Sequence, residues 1–267
     1  MASASDAAVA PRLFASVSEA TGEGRDKAPV VFLHGFAGKH STYDTVRGVI
    51  GGQRTTIAFD LPGHGGSRPW PQTGNAGVAA KAVLNELSER GLERVHLVGH
   101  SMGGATAALV AMRAPERMAS LTLLAPGGFG AEINQRLLRR YAVAREAGEL
   151  KLLMEQFFGW RRPLPDGLIE DMVAERADPE ATESFGMIVE EILDGEVQKV
   201  LPRRDIAKLG CPVKVVWGTQ DRVLPTRQAH HLPGEVAVHI FDEVGHMPHL
   251  EVPEAVAGLI LQNAAGE

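Results

Sequence analysis

A serine flanked by glycines is the strongest candidate nucleophile in this 267-residue chain. It lies in the segment Gly-His-Ser-Met-Gly-Gly at 99–104, after the apolar run Arg94–Val98 and at the start of a helix-like segment, Ser101–Ala114. A G-x-S-x-G sequence between a strand and a helix is typical of a sharp turn that exposes the serine hydroxyl. Glycines on both sides give the backbone the room that such a turn needs. We therefore predict that Ser101 is a catalytic nucleophile.

A serine hydroxyl is a weak nucleophile until a base takes its proton. Of the 10 histidines, His246 is the best placed, because it follows the last apolar run, Val236–Phe241, and is preceded by Gly245. His249 lies only three residues further on and is the alternative base. We predict that His246 is the general base.

An aspartate after the preceding apolar run is the candidate that orients this histidine. Asp221 lies just beyond Pro212–Trp217, and a carboxylate there would fix the imidazole tautomer and stabilise the imidazolium. One run earlier, the corresponding position reads Ala-Pro-Gly-Gly at 125–128 and offers no carboxylate. Asp60 opens a turn-rich loop and is predicted to shape the site. A role for Asp221 in a turn or helix cap is the alternative.

Two backbone N–H groups must stabilise the charge that develops on a tetrahedral intermediate. The first is predicted to be that of Met102, next to the nucleophile. The second is predicted to be that of Phe36, in the segment His-Gly-Phe-Ala-Gly at 34–38, with Ala37 as the alternative donor. His34 is predicted to brace this loop.

Short apolar runs alternate with helix-like segments, which predicts a parallel sheet covered by helices on both faces. Besides those already named, the runs are Pro29–Leu33, Thr55–Phe59 and Ser120–Leu124. Between Gly127 and about Leu209 only helical patterns occur. Such an insertion would cover the strand ends, where open α/β sheets bind ligands. We therefore predict a core of residues 1–126 and 210–267 and a helical cap of residues 127–209.

These motifs together resemble the α/β-hydrolase fold superfamily over roughly residues 12 to 263. The segments that carry the resemblance are HGFAG (34–38), DLPGHGGS (60–67), GHSMGG (99–104), WGTQDRVLP (217–225) and GHMPHLEVPE (245–254). The resemblance implies an α/β-hydrolase fold, with a mostly parallel sheet of about eight strands flanked by helices and a helical cap inserted after the sixth strand. It also implies a carboxylesterase-like serine hydrolase with a Ser-His-Asp triad.

A narrower resemblance is to the catalytic domain of the acyltransferase subunit of the acetoin dehydrogenase complex. The segment LTLLAPGGFGAEIN (121–134) carries it, together with 34–38 and 245–251. In that subunit the domain follows a lipoyl domain, and the residues before the first predicted strand are too few for one. We therefore expect the resemblance to cover the catalytic part alone. C–C bond hydrolases of aromatic degradation are similar in layout.

Three functions are compatible with these residues. The first is hydrolysis of a small ester, thioester, amide or activated C–C substrate, in which Ser101 forms an acyl-enzyme and water activated by His246 releases the acyl group. The second is acyl transfer, with a thiol such as dihydrolipoamide or coenzyme A in place of water. The third is a non-enzymatic module that binds a ligand. Epoxide hydrolases and haloalkane dehalogenases of this fold use an aspartate at the position of Ser101, so those activities are excluded.

Five apolar side chains are the candidate substrate-binding residues. They are Phe36, Phe129, Phe158, Trp160 and Met187. All except Phe36 belong to the predicted cap. These four cap residues, and Phe157 with them, would wall an apolar acyl pocket or, alternatively, pack the cap onto the sheet.

Composition disfavours several kinds of partner. The net charge of −6 disfavours nucleic acid, which binds basic faces, and an anionic membrane surface. The sequence has no clustered metal ligands and no phosphate loop, so we predict no cofactor and no metal. The expected partner is a small-molecule acyl substrate, and a homodimer is compatible with the sequence.

The cellular compartment is predicted from what the sequence lacks. The N-terminal residues have no signal-peptide pattern, and no apolar stretch approaches the ~18 residues of a membrane span. Cys211 is the single cysteine, so no intramolecular disulfide calls for an oxidising compartment. We therefore expect a cytoplasmic protein.

Overall fold

A mostly parallel sheet forms the centre of the structure, a computed structural model that describes residues 11–265. The described strands are β1 (Ala15–Ser18), β2 (Val30–Leu33), β3 (Thr56–Phe59), β4 (Val95–His100), β5 (Met118–Leu124), β6 (Leu193–Asp194), β7 (Val197–Gln198), β8 (Val213–Gly218) and β9 (Val236–Phe241). Seven of them form one sheet in the order β1-β3-β2-β4-β5-β8-β9, while β6 and β7 form a separate hairpin. Within the seven-stranded sheet, β1 pairs antiparallel with β3 and the other pairs are parallel.

Helices cover both faces of this sheet. The described α-helices are α1 (Asp44–Ile50), α2 (Ala76–Glu89), α3 (Met102–Arg113), α4 (Gln135–Val143), α5 (Ala147–Met154), α6 (Leu168–Arg176), α7 (Pro179–Ile192), α8 (Pro248–Glu251) and α9 (Pro253–Ala264). Helix α1 packs with α9, and α2 packs with α3. Among residues 11–265, no helix has the combination of length and apolarity that crossing a membrane requires.

The central strands are apolar throughout because both of their faces are buried. In β2, Val30 and Phe32 join the apolar cluster that contains the core residues of α1 and α9. Val31 and Leu33 point the other way and join the cluster beneath α2 and α3. Continuous apolar runs are therefore typical of a parallel sheet between two helical layers, and the predicted fold class is confirmed.

The predicted number of strands and the predicted position of the cap each differ from the structure by one strand. About eight strands were expected from the resemblance, but residues 11–265 contribute seven to the main sheet. The insertion consequently follows the fifth strand, β5, and not the sixth. Ahead of the first long apolar run there is one short edge strand, Ala15–Ser18, whose small and polar residues give no strand signal.

The inserted segment between β5 and β8 contains α4 to α7 and the β6–β7 hairpin. Only helical patterns were expected there. Two-residue strands are too short to show alternation, and the hairpin turns at Gly195, which has a positive φ of 65°. We keep the name cap for residues 127–209, and the division into core and cap stays a prediction.

Candidate active site

Ser101 occupies the turn between β4 and α3, as the sequence predicts. Its backbone φ is 51° and its ψ is −116°, a conformation that is costly for a residue with a Cβ atom and typical of functional sites. The Ser101 N–H donates to the Leu124 oxygen at 3.0 Å, and the Ser101 oxygen accepts from the Gly127 N–H at 2.9 Å. Bonds to β5 and to the first residue of the cap thus hold the turn, and Ser101 lines a cavity.

Two glycines allow helix α3 to begin close to the sheet. A Cβ atom on Gly103 would collide with the main-chain oxygens of Leu33 and His34, and one on Gly99 would collide with the Gly103 oxygen. Because glycine stands at both positions, the N-terminus of α3 lies against the end of β2. This places the Met102 N–H and the positive end of the helix dipole next to the loop that follows β2.

His246 and Asp221 lie together behind this turn. The His246 Nδ1 and Asp221 Oδ2 atoms are 2.8 Å apart. The side chains are 1% and 0% exposed respectively. Since a carboxylate only accepts hydrogen bonds, Nδ1 carries the proton and Nε2 is left as an acceptor, which is the tautomer that a general base requires. His246 and Ser101 line the same cavity.

Both oxygens of the Asp221 carboxylate accept hydrogen bonds from neighbouring groups. Its Oδ1 atom accepts from the N–H groups of Val223 and Leu224, each at 2.8 Å. Its Oδ2 atom accepts from the Trp217 Nε1–H at 2.9 Å as well as from His246. A buried carboxylate is stable only where such donors replace water. The turn after β8 therefore fixes the direction in which Asp221 meets the histidine.

The main chain around His246 is also held by residues to which sequence reasoning assigned no role. His100 donates through Nε2 to the His246 oxygen at 2.8 Å, and burial lowers the pKa of His100 well below 6.5, so the ring is neutral. Glu251 accepts from the N–H groups of Gly245 and Met247. Burial raises the pKa of the Glu251 carboxyl, and those N–H bonds act in the opposite direction. Both residues stand inside segments that carry the family resemblance, which is the signal that could have found them.

The rival base, His249, lies outside the cavity. Its Nε2 atom is 3.2 Å from the Thr42 hydroxyl, and its ring packs against Tyr43 and His100. Burial lowers its pKa to about 3. A fully buried ring in these contacts cannot accept a proton from Ser101.

The loop after β2 contains the second predicted oxyanion donor. The Ala37 N–H already donates to the His64 Nε2 atom at 3.1 Å, which leaves Phe36 as the better candidate. His34 donates from Nδ1 to the Gly35 oxygen at 2.7 Å and accepts the Leu61 N–H at Nε2, at 2.9 Å. This is the bracing role that the sequence predicts for His34.

Asp60 holds the neighbouring loop. One of its oxygens accepts from the His40 N–H at 2.6 Å, and the other accepts from the Gly66 N–H at 2.8 Å. The predicted shaping role of Asp60 thus has contacts that support it.

A cavity of about 460 Å³ lies over Ser101, His246, Phe36 and Met102. Its apolar wall comes largely from the cap, with Leu138, Tyr141, Met154, Phe157, Leu168 and Met172. Pockets of this size with apolar walls and a few polar groups are typical of small-molecule sites.

Four of the five predicted substrate-binding residues lie elsewhere, and only Phe36 lines the cavity. Phe129 is buried against Trp217, and Phe158 is buried beside the cavity wall without lining it. Trp160 and Met187 are exposed, at 74% and 50%. The sequence indicates that the cap is rich in aromatic residues, but the turn at 155–159 decides that Phe157, and not Phe158, faces inward.

Residues 11–265 contain no group of three or more His, Cys, Asp or Glu side chains that could hold a metal ion. The candidate site described above consists of a serine, a histidine, a carboxylate and backbone N–H groups. Such a set can attack a carbonyl carbon, stabilise the oxyanion and move protons.

The chain is similar to known proteins over most of its length. The profile of the "Alpha/beta hydrolase family" matches residues 30–259. The chain is 31% identical over 237 residues to the "dihydrolipoyllysine-residue acetyltransferase component of acetoin cleaving system" of Cupriavidus necator. The aligned region covers 89% of this chain and 63% of that relative. It therefore spans less than two thirds of that relative's length.

A second relative and a solved structure share one enzyme name. The 2-hydroxy-6-oxo-6-phenylhexa-2,4-dienoate hydrolase of Comamonas testosteroni is 28% identical over 238 residues, covering 83% of this chain and 82% of the relative. The structure of the enzyme of that name from Rhodococcus superposes with a TM-score of 0.80 over 95% of each chain, at 22% identity. The latter similarity bears on the fold alone.

Proposed function

The chain belongs to the alpha/beta hydrolase family, and from this we propose that it is a serine hydrolase of small acyl compounds. The proposed substrates are an ester, thioester, amide or activated C–C compound with an apolar acyl group. The observation that carries the proposal is the 2.8 Å pairing of His246 Nδ1 with Asp221 on the wall of the apolar cavity that Ser101 also lines.

The proposed reaction has two halves. Ser101 Oγ attacks the carbonyl carbon while His246 Nε2 takes its proton, and the N–H groups of Phe36 and Met102 stabilise the oxyanion. His246 then gives the proton to the leaving group, which departs and leaves the acyl group on Ser101. Water attacks this acyl-enzyme with His246 again as base, and Ser101 recovers its proton as the acid is released.

Labelling with a fluorophosphonate tests the nucleophile. We expect one label per chain in the wild type and none in Ser101→Ala, because only an activated serine attacks the phosphorus atom. Ser41→Ala is the matched control, since Ser41 lines the same cavity, and it should label like the wild type. Intact mass spectrometry measures the result. Label retained in Ser101→Ala would refute the assignment.

Acyl transfer to a thiol is the second candidate, because the relative from Cupriavidus necator carries the name of an acetyltransferase component. We expect an acyl thioester to yield free acid without any thiol, and added dihydrolipoamide to divert at most part of the product. Chromatography of acid and thioester products measures the partition. Turnover that requires the thiol would replace hydrolysis with transfer. A ligand that raises Tm without any turnover would instead favour the binding module.

A further inference from the structure

Glu251 is a buried carboxylate to which the proposed reaction gives no role. It ends helix α8 and is 9% exposed. Its oxygens accept the N–H groups of Gly245 at 2.9 and 3.0 Å, Met247 at 3.1 Å and Gly159 at 2.8 Å. Hydrogen bonds to an ionised acceptor are stronger than neutral ones. One carboxylate therefore joins main-chain donors from two separate stretches of the chain.

Two of these donors lie on either side of His246. Gly245 and Met247 are its immediate neighbours, so their N–H bonds to Glu251 fix the path of the main chain into and out of the histidine. The His246 oxygen accepts from His100 Nε2 at 2.8 Å on the other side. The histidine is thus held by its backbone in addition to the Asp221 contact.

The third donor belongs to the cap. Gly159 lies two residues after Phe157. The Phe157 oxygen accepts the His246 N–H at 2.6 Å, and the Phe157 ring lies 5.9 Å from the His246 ring. A Cβ atom on Gly245 would collide with the main chain at Phe157 to Gly159. The histidine loop and the cap therefore pack backbone against backbone, and Phe157 also lines the cavity.

From this geometry we infer that Glu251 is a positioning residue, which holds the His246 loop in register with the cap segment at 157–159. The inference rests on the proposed function. Glu251 acts through His246, because it does not line the cavity. Loss of its acceptor atoms moves the histidine and loosens the cap wall together.

The variant Glu251→Gln tests this role at constant side-chain size. An amide keeps one acceptor oxygen and turns an N–H₂ group toward the backbone donors. We expect the rate constant for fluorophosphonate labelling of Ser101 to fall about 10²-fold, as for a misplaced catalytic group, while the final stoichiometry stays at one. We expect kcat for an ester to fall in parallel, with a smaller change in KM. Glu254→Gln, an exposed carboxyl in the first turn of α9, is the matched control and should label at the wild-type rate.

The labelling results distinguish a failure of the positioning role of Glu251 from a failure of the proposed function. Labelling of Glu251→Gln at the wild-type rate, or slowing only in proportion to its unfolded fraction, would overturn the positioning role. A wild-type protein that takes up no label would refute the proposed function instead.

Amide hydrogen exchange on the wild type tests the hydrogen bonds of Glu251 to the cap and to the histidine loop without a variant. This measurement remains informative if Glu251→Gln does not fold or if the wild type takes up no label. The amides of Gly159, Gly245 and Met247 are expected to exchange with a common protection factor, because one carboxylate holds all three. Exchange of the Gly159 amide more than about tenfold faster than the other two would overturn the inference.

Discussion

Replacement of His246 by alanine is expected to lower kcat for an activated ester on the order of 10⁴-fold or more. The variant keeps Ser101, the cavity and the Phe36 and Met102 N–H groups, but no group remains to take the serine proton. Because triad members act as a unit, the double variant Ser101→Ala with His246→Ala should be about as slow as either single variant. Steady-state kinetics on the three purified variants measures this non-additivity.

Two controls make the result specific to His246. His231→Asn alters an exposed histidine with a φ of 58°, a conformation that asparagine tolerates, and it should keep wild-type kcat. His249→Phe tests the rival base and should retain at least about one tenth of kcat, because its ring lies outside the cavity. A His246→Ala variant that keeps more than a few per cent of the activity, or a larger loss in His249→Phe, would reject His246 as the base.

The free energy of unfolding is expected to fall as the pH is lowered from 6.5 to 5.5, because four buried histidines resist protonation in the folded chain. His249, with a folded pKa of about 3, accounts for about 1 kcal/mol of this fall. His34, His64, His100 and His249 are fully buried, and burial is the main cause that lowers the pKa of each below 6.5, to about 3 for His249. In this pH range the unfolded chain therefore binds more protons at these four histidines than the folded chain does. The contribution of each histidine to stability is therefore present above its unfolded pKa of 6.5 and is lost as the pH falls through its folded pKa, which for His249 is about 3.

Two carboxyl groups act against this loss. Burial raises the pKa of Glu175 and of Glu251 above 4.5, so the folded chain binds their protons first as the pH falls. Two carboxyls can offset at most two of the four histidines. The free energy of unfolding is therefore expected to fall from pH 6.5 to pH 5.5 even with this offset.

Urea unfolding at pH 7.5, 6.5 and 5.5 measures this dependence, with a constant m-value as the check on two-state behaviour. His249→Phe should remove about 1 kcal/mol of the fall between pH 6.5 and pH 5.5, because it removes one titrating group. The His249 Nδ1 atom has no hydrogen-bond partner in the described part of the chain, so phenylalanine loses little there. A free energy of unfolding that stays constant or rises between pH 6.5 and pH 5.5 would contradict the prediction.

Most of the sheet could be predicted because its central strands are buried on both faces. The six apolar runs correspond to β2, β3, β4, β5, β8 and β9 within one or two residues at most ends. The strand Ala15–Ser18 gave no such signal, because an edge strand with small residues needs no apolar run. The hairpin inside the cap was missed because its strands have two residues each.

Some residues of the candidate site could likewise be predicted from the sequence, and others could not. Ser101, Asp221 and His246 could be found because each needs a local pattern, namely a glycine-flanked turn or a loop just after a strand. Phe157 could not be told from Phe158, because a cap turn decides which ring faces the cavity. The family resemblance of segment 245–254 marks Glu251, but it does not reveal the role of the residue. Its donors at Gly159 and Gly245 are brought together only by the packing of the cap on the histidine loop.

The sequence by itself determined the fold class and the three residues proposed to start the reaction, because both depend on short-range patterns of burial and backbone freedom. Only the tertiary structure decided the shape of the cavity, the residues that wall it and the carboxylate that holds the histidine loop. Those features depend on contacts between segments far apart in the chain, such as the 92 residues between Gly159 and Glu251. Spacing along a single sequence carries no information on such contacts.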